Sequence, residues 1–271
     1  MSGTASPLPP DEGVRRALPA LTGEQRARLA QRLAQRSTDR GDAGQALPLT
    51  RRALSLADPA RRLVALVEAL GHERLVLPVR VEADPRPTGH HAPSPQGEAW
   101  DLPQAPTPQG PALVAYTSAA ALAADRVGAR PTPLSARTLA LTALVETAGR
   151  VLLDPGAPPA PGQDPRGIRL PRPAVAALAQ GDSWLPAWKD EGLRAGLGEL
   201  AGAGRGGGVL DVRIPPASGA TQRVEVVVEA TLQGRAARAS LAQVLHDIAR
   251  DARLLTACER IEIVPVRAQA L

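Results

Sequence analysis

Apolar positions along this chain recur in two periods, and the switches between them predict the elements. Leu63, Leu66, Val67 and Leu70 fall three and four residues apart and predict a helix. Asp58 as N-cap and Pro59 as first helical residue open it, and Gly71 closes it. The run Arg74-Leu-Val-Leu-Pro-Val-Arg-Val-Glu82 reads as a strand, with Pro78 at an edge or bulge because it has no N–H for a ladder. A strand over Leu113–Tyr116 leads into a helix capped by Thr117 or Ser118. A second helix begins near Ser135 and ends at Gly149, and Arg150–Leu153 is a buried strand turned by Asp154-Pro155-Gly156. Leu170 ends a further short strand, Pro171 or Pro173 starts a helix, and Gly181 stops it. Toward the C-terminus, strands over Val209–Ile214 and Arg223–Thr231 precede a helix over Arg235–Thr256 and a strand over Arg260–Val266. Ala237, Leu241, Val244, Leu245, Ile248 and Leu255 form that helix's packed face. Val224, Val226 and Val228 share one buried side of their strand.

Breaks in this pattern suggest the domain organisation. Residues 84–110 hold seven prolines and little large apolar content, which reads as a long loop. Residues 157–166 are a second Pro/Gly loop. Residues 192–208 hold eight glycines and read as a linker, although Leu193, Leu197 and Leu200 have the spacing of a short helix. The expected fold class is α/β (α+β). Residues 1–57 form a basic helical extension, 58–190 a central mixed-sheet domain, 191–208 a Gly-rich linker, and 209–271 a small ββαβ domain that is stable only if its helix covers its sheet.

Charge changes this picture at one end. Residues 1–62 carry 11 Arg against 6 acidic residues, whereas the other 209 residues are balanced at 21 basic and 21 acidic. The +5 net charge therefore belongs to this N-terminal segment, where Thr22 and Gln25 resemble a capping box opening a helix to about Arg36. Arg28, Arg32 and Arg36 recur every four residues along it, beside a narrow stripe of Leu29 and Leu33. Lys189 is the only lysine and the chain has no Phe, a bias expected of a GC-rich genome that weakens the arginines as a sign of phosphate binding. The N-terminal sequence lacks the pattern of a signal peptide, and no apolar run approaches the roughly 20 residues of a membrane span. With one cysteine, a disulfide framework is excluded. The expectation is a soluble, cytoplasmic protein.

Candidate chemistry is sparse. Gly202-Ala-Gly204-Arg-Gly-Gly207 matches the dinucleotide-binding pattern literally, but that pattern needs a strand before it and a helix after it, and here a strand follows. There is no P-loop. His90-His91 stand in a Pro-rich loop without further ligands at metal-site spacing, so no metal or cofactor is expected. Ser118 and Ser135 sit in helix-cap contexts rather than in a nucleophile elbow. Cys258 lies where a small buried residue is expected, with Arg260 as its one nearby activator. The four aromatic residues, Trp100, Tyr116, Trp184 and Trp188, form no stacking platform. Trp184-Leu-Pro-Ala-Trp188 is the best candidate for an exposed hot spot. No catalytic residue is expected.

The chain resembles actinobacterial members of the SseB family. The resemblance is carried by Leu75-Val-Leu-Pro-Val79, by Ala115-Tyr-Thr-Ser118 where the family usually has Phe-Thr-Ser, and by Arg150-Val-Leu-Leu-Asp-Pro155. It continues through Leu170-Pro-Arg-Pro173, Leu178-Ala-Gln-Gly181 and Trp184-Leu-Pro186. It spans roughly 60–188, with weaker similarity at Arg260-Ile-Glu-Ile-Val-Pro265. It implies an SseB N-terminal domain and no catalytic residues. The expected function is a non-enzymatic interaction or regulatory module that binds a protein partner through Trp184 and Trp188 or through Arg28, Arg32 and Arg36. The second reading is an RNA- or ribosome-associated protein using those arginines, whose binding would weaken steeply with salt.

Overall fold

The computed structural model describes residues 42–79, 103–156, 167–203, 208–231 and 233–268. The expected basic helix with Arg28, Arg32 and Arg36, the His90-His91 pair and Trp100 lie outside these residues. In chain order, α1 (Pro48–Leu54), α2 (Pro59–Leu70), β1 (Arg74–Val79), β2 (Gln104–Ala105) and β3 (Ala112–Ala115) come first. They are followed by α3 (Ala119–Asp125), β4 (Arg130–Ser135), α4 (Ala136–Glu146), β5 (Val151–Leu153), β6 (Ile168–Leu170) and α5 (Arg172–Gln180). A 3-10 turn (Ala187–Lys189) leads to α6 (Glu191–Ala203), β7 (Val209–Arg213), β8 (Thr221–Val228), α7 (Arg235–Ala249), α8 (Ala252–Ala257) and β9 (Arg260–Arg267).

The first core is built on a mixed sheet. β2, β3, β5 and β6 are neighbours in that order, with β3 and β5 parallel and the outer pairs antiparallel. β1 pairs antiparallel with β4 and joins β3 through one bridge, Val76 to Tyr116, with 2.8 Å bonds in both directions. Alternate residues then face opposite ways. Leu75, Leu77, Leu113 and Ala115 enter a core filled by α2, α4 and α5, whereas Val76, Val114 and Tyr116 meet Leu122 of α3 on the other side. Helices on both faces explain why β3 and β5 are apolar at every position.

Several helix ends follow from the sequence directly. Asp58 accepts from Arg61 N, Ser118 from Ala121 N and Ser135 from Thr138 N. Gly181 ends α5 at φ 83°, in the left-handed region where glycine carries no Cβ penalty. α1 was not expected: residues 42–57, read as part of the extension, pack on the first core through Ala53. Its opening N–H groups at Leu49 and Thr50 donate to the Glu73 carboxylate at 2.8 and 2.7 Å. Beside it Arg74 binds Asp42 and the Gln45 carbonyl, at 2.5 to 2.8 Å.

β4 runs through Pro131 and Pro133, and the alternation of antiparallel hydrogen bonds explains how it can. Val76 directs its backbone bonds to Tyr116, so Leu75 and Leu77 direct theirs to Leu134 and Thr132 of β4. Pro131 and Pro133 therefore occupy positions whose nitrogens face away from β1, and neither costs a ladder bond. Pro265 of β9 repeats the arrangement. Arg260 donates to Ala220, just before β8, at 3.2 Å and Ala268 to Val228 of β8 at 2.8 Å, which leaves the odd-numbered positions between them pointing outward.

The second core starts at Ala187 and lies between α6, α7, α8 and a three-stranded sheet of order β7-β8-β9, antiparallel then parallel. Val224, Val226 and Val228 are buried on its inner side as expected. Residues 191–203, expected as part of a linker, are instead a helix. Leu193, Leu197 and Ala201 recur every four residues and are at most 4% exposed, so apolar spacing overrides the glycine content. The expected ββαβ unit thus gains a helix at its start. The helix expected over 235–256 is two, because Asp251 stops α7 and caps α8 by accepting from Leu254 N at 2.7 Å.

Candidate functional site

After Gly181 the chain leaves α5 as Asp182-Ser-Trp-Leu-Pro-Ala-Trp188 and crosses from one core to the other. Trp184 packs against the first core and Trp188 against the second. Their rings meet edge to face, with centroids 5.9 Å apart and planes at 89°, a favoured geometry for aromatic pairs. Between them Pro186 is buried and Leu185 is 55% exposed. The two tryptophans proposed from sequence are therefore together. The exit segment ends at Asp190, which caps α6 by accepting from Leu193 N at 3.0 Å and pairs with Arg253 at 2.5 and 2.9 Å. Burial alone would raise the Asp190 carboxyl, but the Leu193 N–H and the Arg253 guanidinium outweigh it and hold the group below the usual carboxylate range.

Beside Trp184 lies a pocket of about 480 Å³. Three elements build it: α2 supplies Val64, Val67 and Glu68 with its C-terminal Gly71 and His72, α4 supplies Arg137, and α5 supplies Leu178 with its C-terminal Gly181 and Asp182. Arg137 Nε donates to the Ala179 carbonyl at 3.2 Å, so the guanidinium serves the unsatisfied C-terminal end of α5. The indole nitrogen of Trp184 is buried without a hydrogen-bond acceptor. A buried donor left unpaired costs about 1–3 kcal/mol, and such a group calls for an explanation. Glu68, His72, Arg137 and Asp182 carried no motif signal, because the pocket is assembled from residues as far apart as Val64 and Trp184.

The remaining polar clusters hold the fold together. Asp154 sits at the ends of the parallel strands β3 and β5 with φ 48°. It accepts from Thr117 N at 2.9 Å and Thr117 Oγ1 at 2.7 Å, so Thr117 ties the two strand ends while Ser118 caps α3. Burial raises the Asp154 carboxyl above its ordinary range although both bonds act against it. Tyr116 is fully buried. Its hydroxyl donates to Asp125 and accepts from Arg126 Nε at 3.0 Å, anchoring the end of α3. Burial pushes the Cys258 thiol up to about 11, the opposite of the activation a nucleophile needs. The Gly202–Gly207 pattern begins inside α6, and its positions 204–207 lie outside the described residues. Among the described residues no group of three or more His, Cys, Asp or Glu could hold a metal ion, and no helix is long and apolar enough to cross a membrane.

A sheet with parallel β3 and β5, tied at their ends by Thr117 and Asp154 and covered by helices on both faces, thus carries the pocket among its helices α2, α4 and α5. The family model for the SseB protein N-terminal domain matches residues 50–177. The chain carries an SseB N-terminal domain. The matched span runs from α1 into α5. It begins ten residues before the similarity read from sequence and ends before Trp184, so the paired tryptophans lie just past the matched part of the SseB domain. No curated protein and no solved structure matches the chain.

Proposed function

We propose that this chain is an SseB-family protein of actinobacterial type acting as a cytoplasmic, non-enzymatic interaction or regulatory module, and that its protein partner docks at the Trp184 exit and the adjoining pocket. The observation that carries this reading is the exit segment itself, where Leu185 is 55% exposed between two tryptophans in ring contact and Trp184 lines the adjoining pocket. Tryptophan is enriched where partners contribute most binding energy, and the exposed leucine beside it offers apolar surface for a partner to bury. The polar groups a reaction would need are engaged elsewhere: Asp154 by Thr117, the Tyr116 hydroxyl by Asp125 and Arg126, Asp190 by α6 and Arg253. The Arg-for-Lys bias and the absence of Phe support the GC-rich source.

The test is crosslinking in the native host followed by mass spectrometry, comparing wild type with Leu185→Glu and with Trp184→Ala, Trp188→Ala. Leu185→Glu alters an exposed side chain and leaves both cores intact, so it separates lost docking from lost folding. A partner captured by wild type and lost from both variants supports the reading. An unchanged partner set in both overturns it.

A further inference from the structure

We draw no further inference here: the strongest candidate, the outer face of α4, where Leu141 and Val145 stand one turn apart at 44% and 45% exposure, carries nothing, because nothing in the structure shows what covers it.

Discussion

Asp154 shows how far one residue's environment departs from what its type suggests. In sequence it belongs to an Asp-Pro-Gly turn, and the turn is there, with Gly156 at φ 68°. Its second task, holding Thr117 from the neighbouring strand, was not legible, because the two residues are 37 positions apart and meet only when β3 and β5 pair. The caps at Asp58, Ser118 and Ser135 were legible because each acts within three residues of itself. Asp154→Ala leaves the Thr117 N–H and hydroxyl without their partner and puts alanine in a left-handed conformation. It should cost about 1–3 kcal/mol in chemical denaturation at pH 7. Asp154→Asn keeps an acceptor for the N–H, tolerates that backbone and removes the charge. Because burial raises the native carboxyl above its unfolded value, wild type draws full benefit from this group below the ordinary carboxylate pKa and loses it as pH rises through the raised value. The asparagine variant should therefore gain on wild type between pH 3.5 and pH 7. A difference that stays constant across that window would refute the account.

At the scale of elements, periodicity located the long helices and the apolar strands, and composition hid the rest. β4 is hidden in the sequence because Pro131 and Pro133 argue against a strand until the direction of each nitrogen is known. The two-residue β2 falls in a Pro-rich stretch with no periodicity of its own. α6 reads as a linker in the sequence because its glycines outweigh its leucine spacing. Its glycines now carry a test. A methyl group on Gly196 or Gly198 would meet nothing within 4 Å, whereas one on Gly192 would come within 2.6 Å of the Arg253 guanidinium. Gly196→Ala and Gly198→Ala should each stabilise by about 0.5–1 kcal/mol, since alanine loses less backbone entropy in a helix interior. Gly192→Ala should gain less or lose. Urea titrations that find no gain at 196 and 198 would mean that this segment does not act as a helix in solution.

For the whole molecule, two ties between the cores stand out among the described residues, and one of them is legible in the sequence. The paired tryptophans stand out in a chain with four aromatic residues. The second tie is a surprise of topology: Glu259, between α8 and β9, pairs with Arg169 of β6 at 2.5 Å and accepts from Arg172 N at 2.9 Å, so the second core caps a helix of the first. Both side chains are largely buried, at 18% and 12% exposure, and removing one partner strands the other. Glu259→Ala should cost about 2–4 kcal/mol and split a single calorimetric transition into two. A wild type that already melts in two steps, or a variant that melts like wild type, would show that the cores are independent. The edge prolines have a consequence at this scale as well. A new strand arriving at β4 or β9 finds donors missing at Pro131, Pro133 and Pro265, so neither margin can seed the sheet-to-sheet polymerisation that open strands invite in a crowded cell.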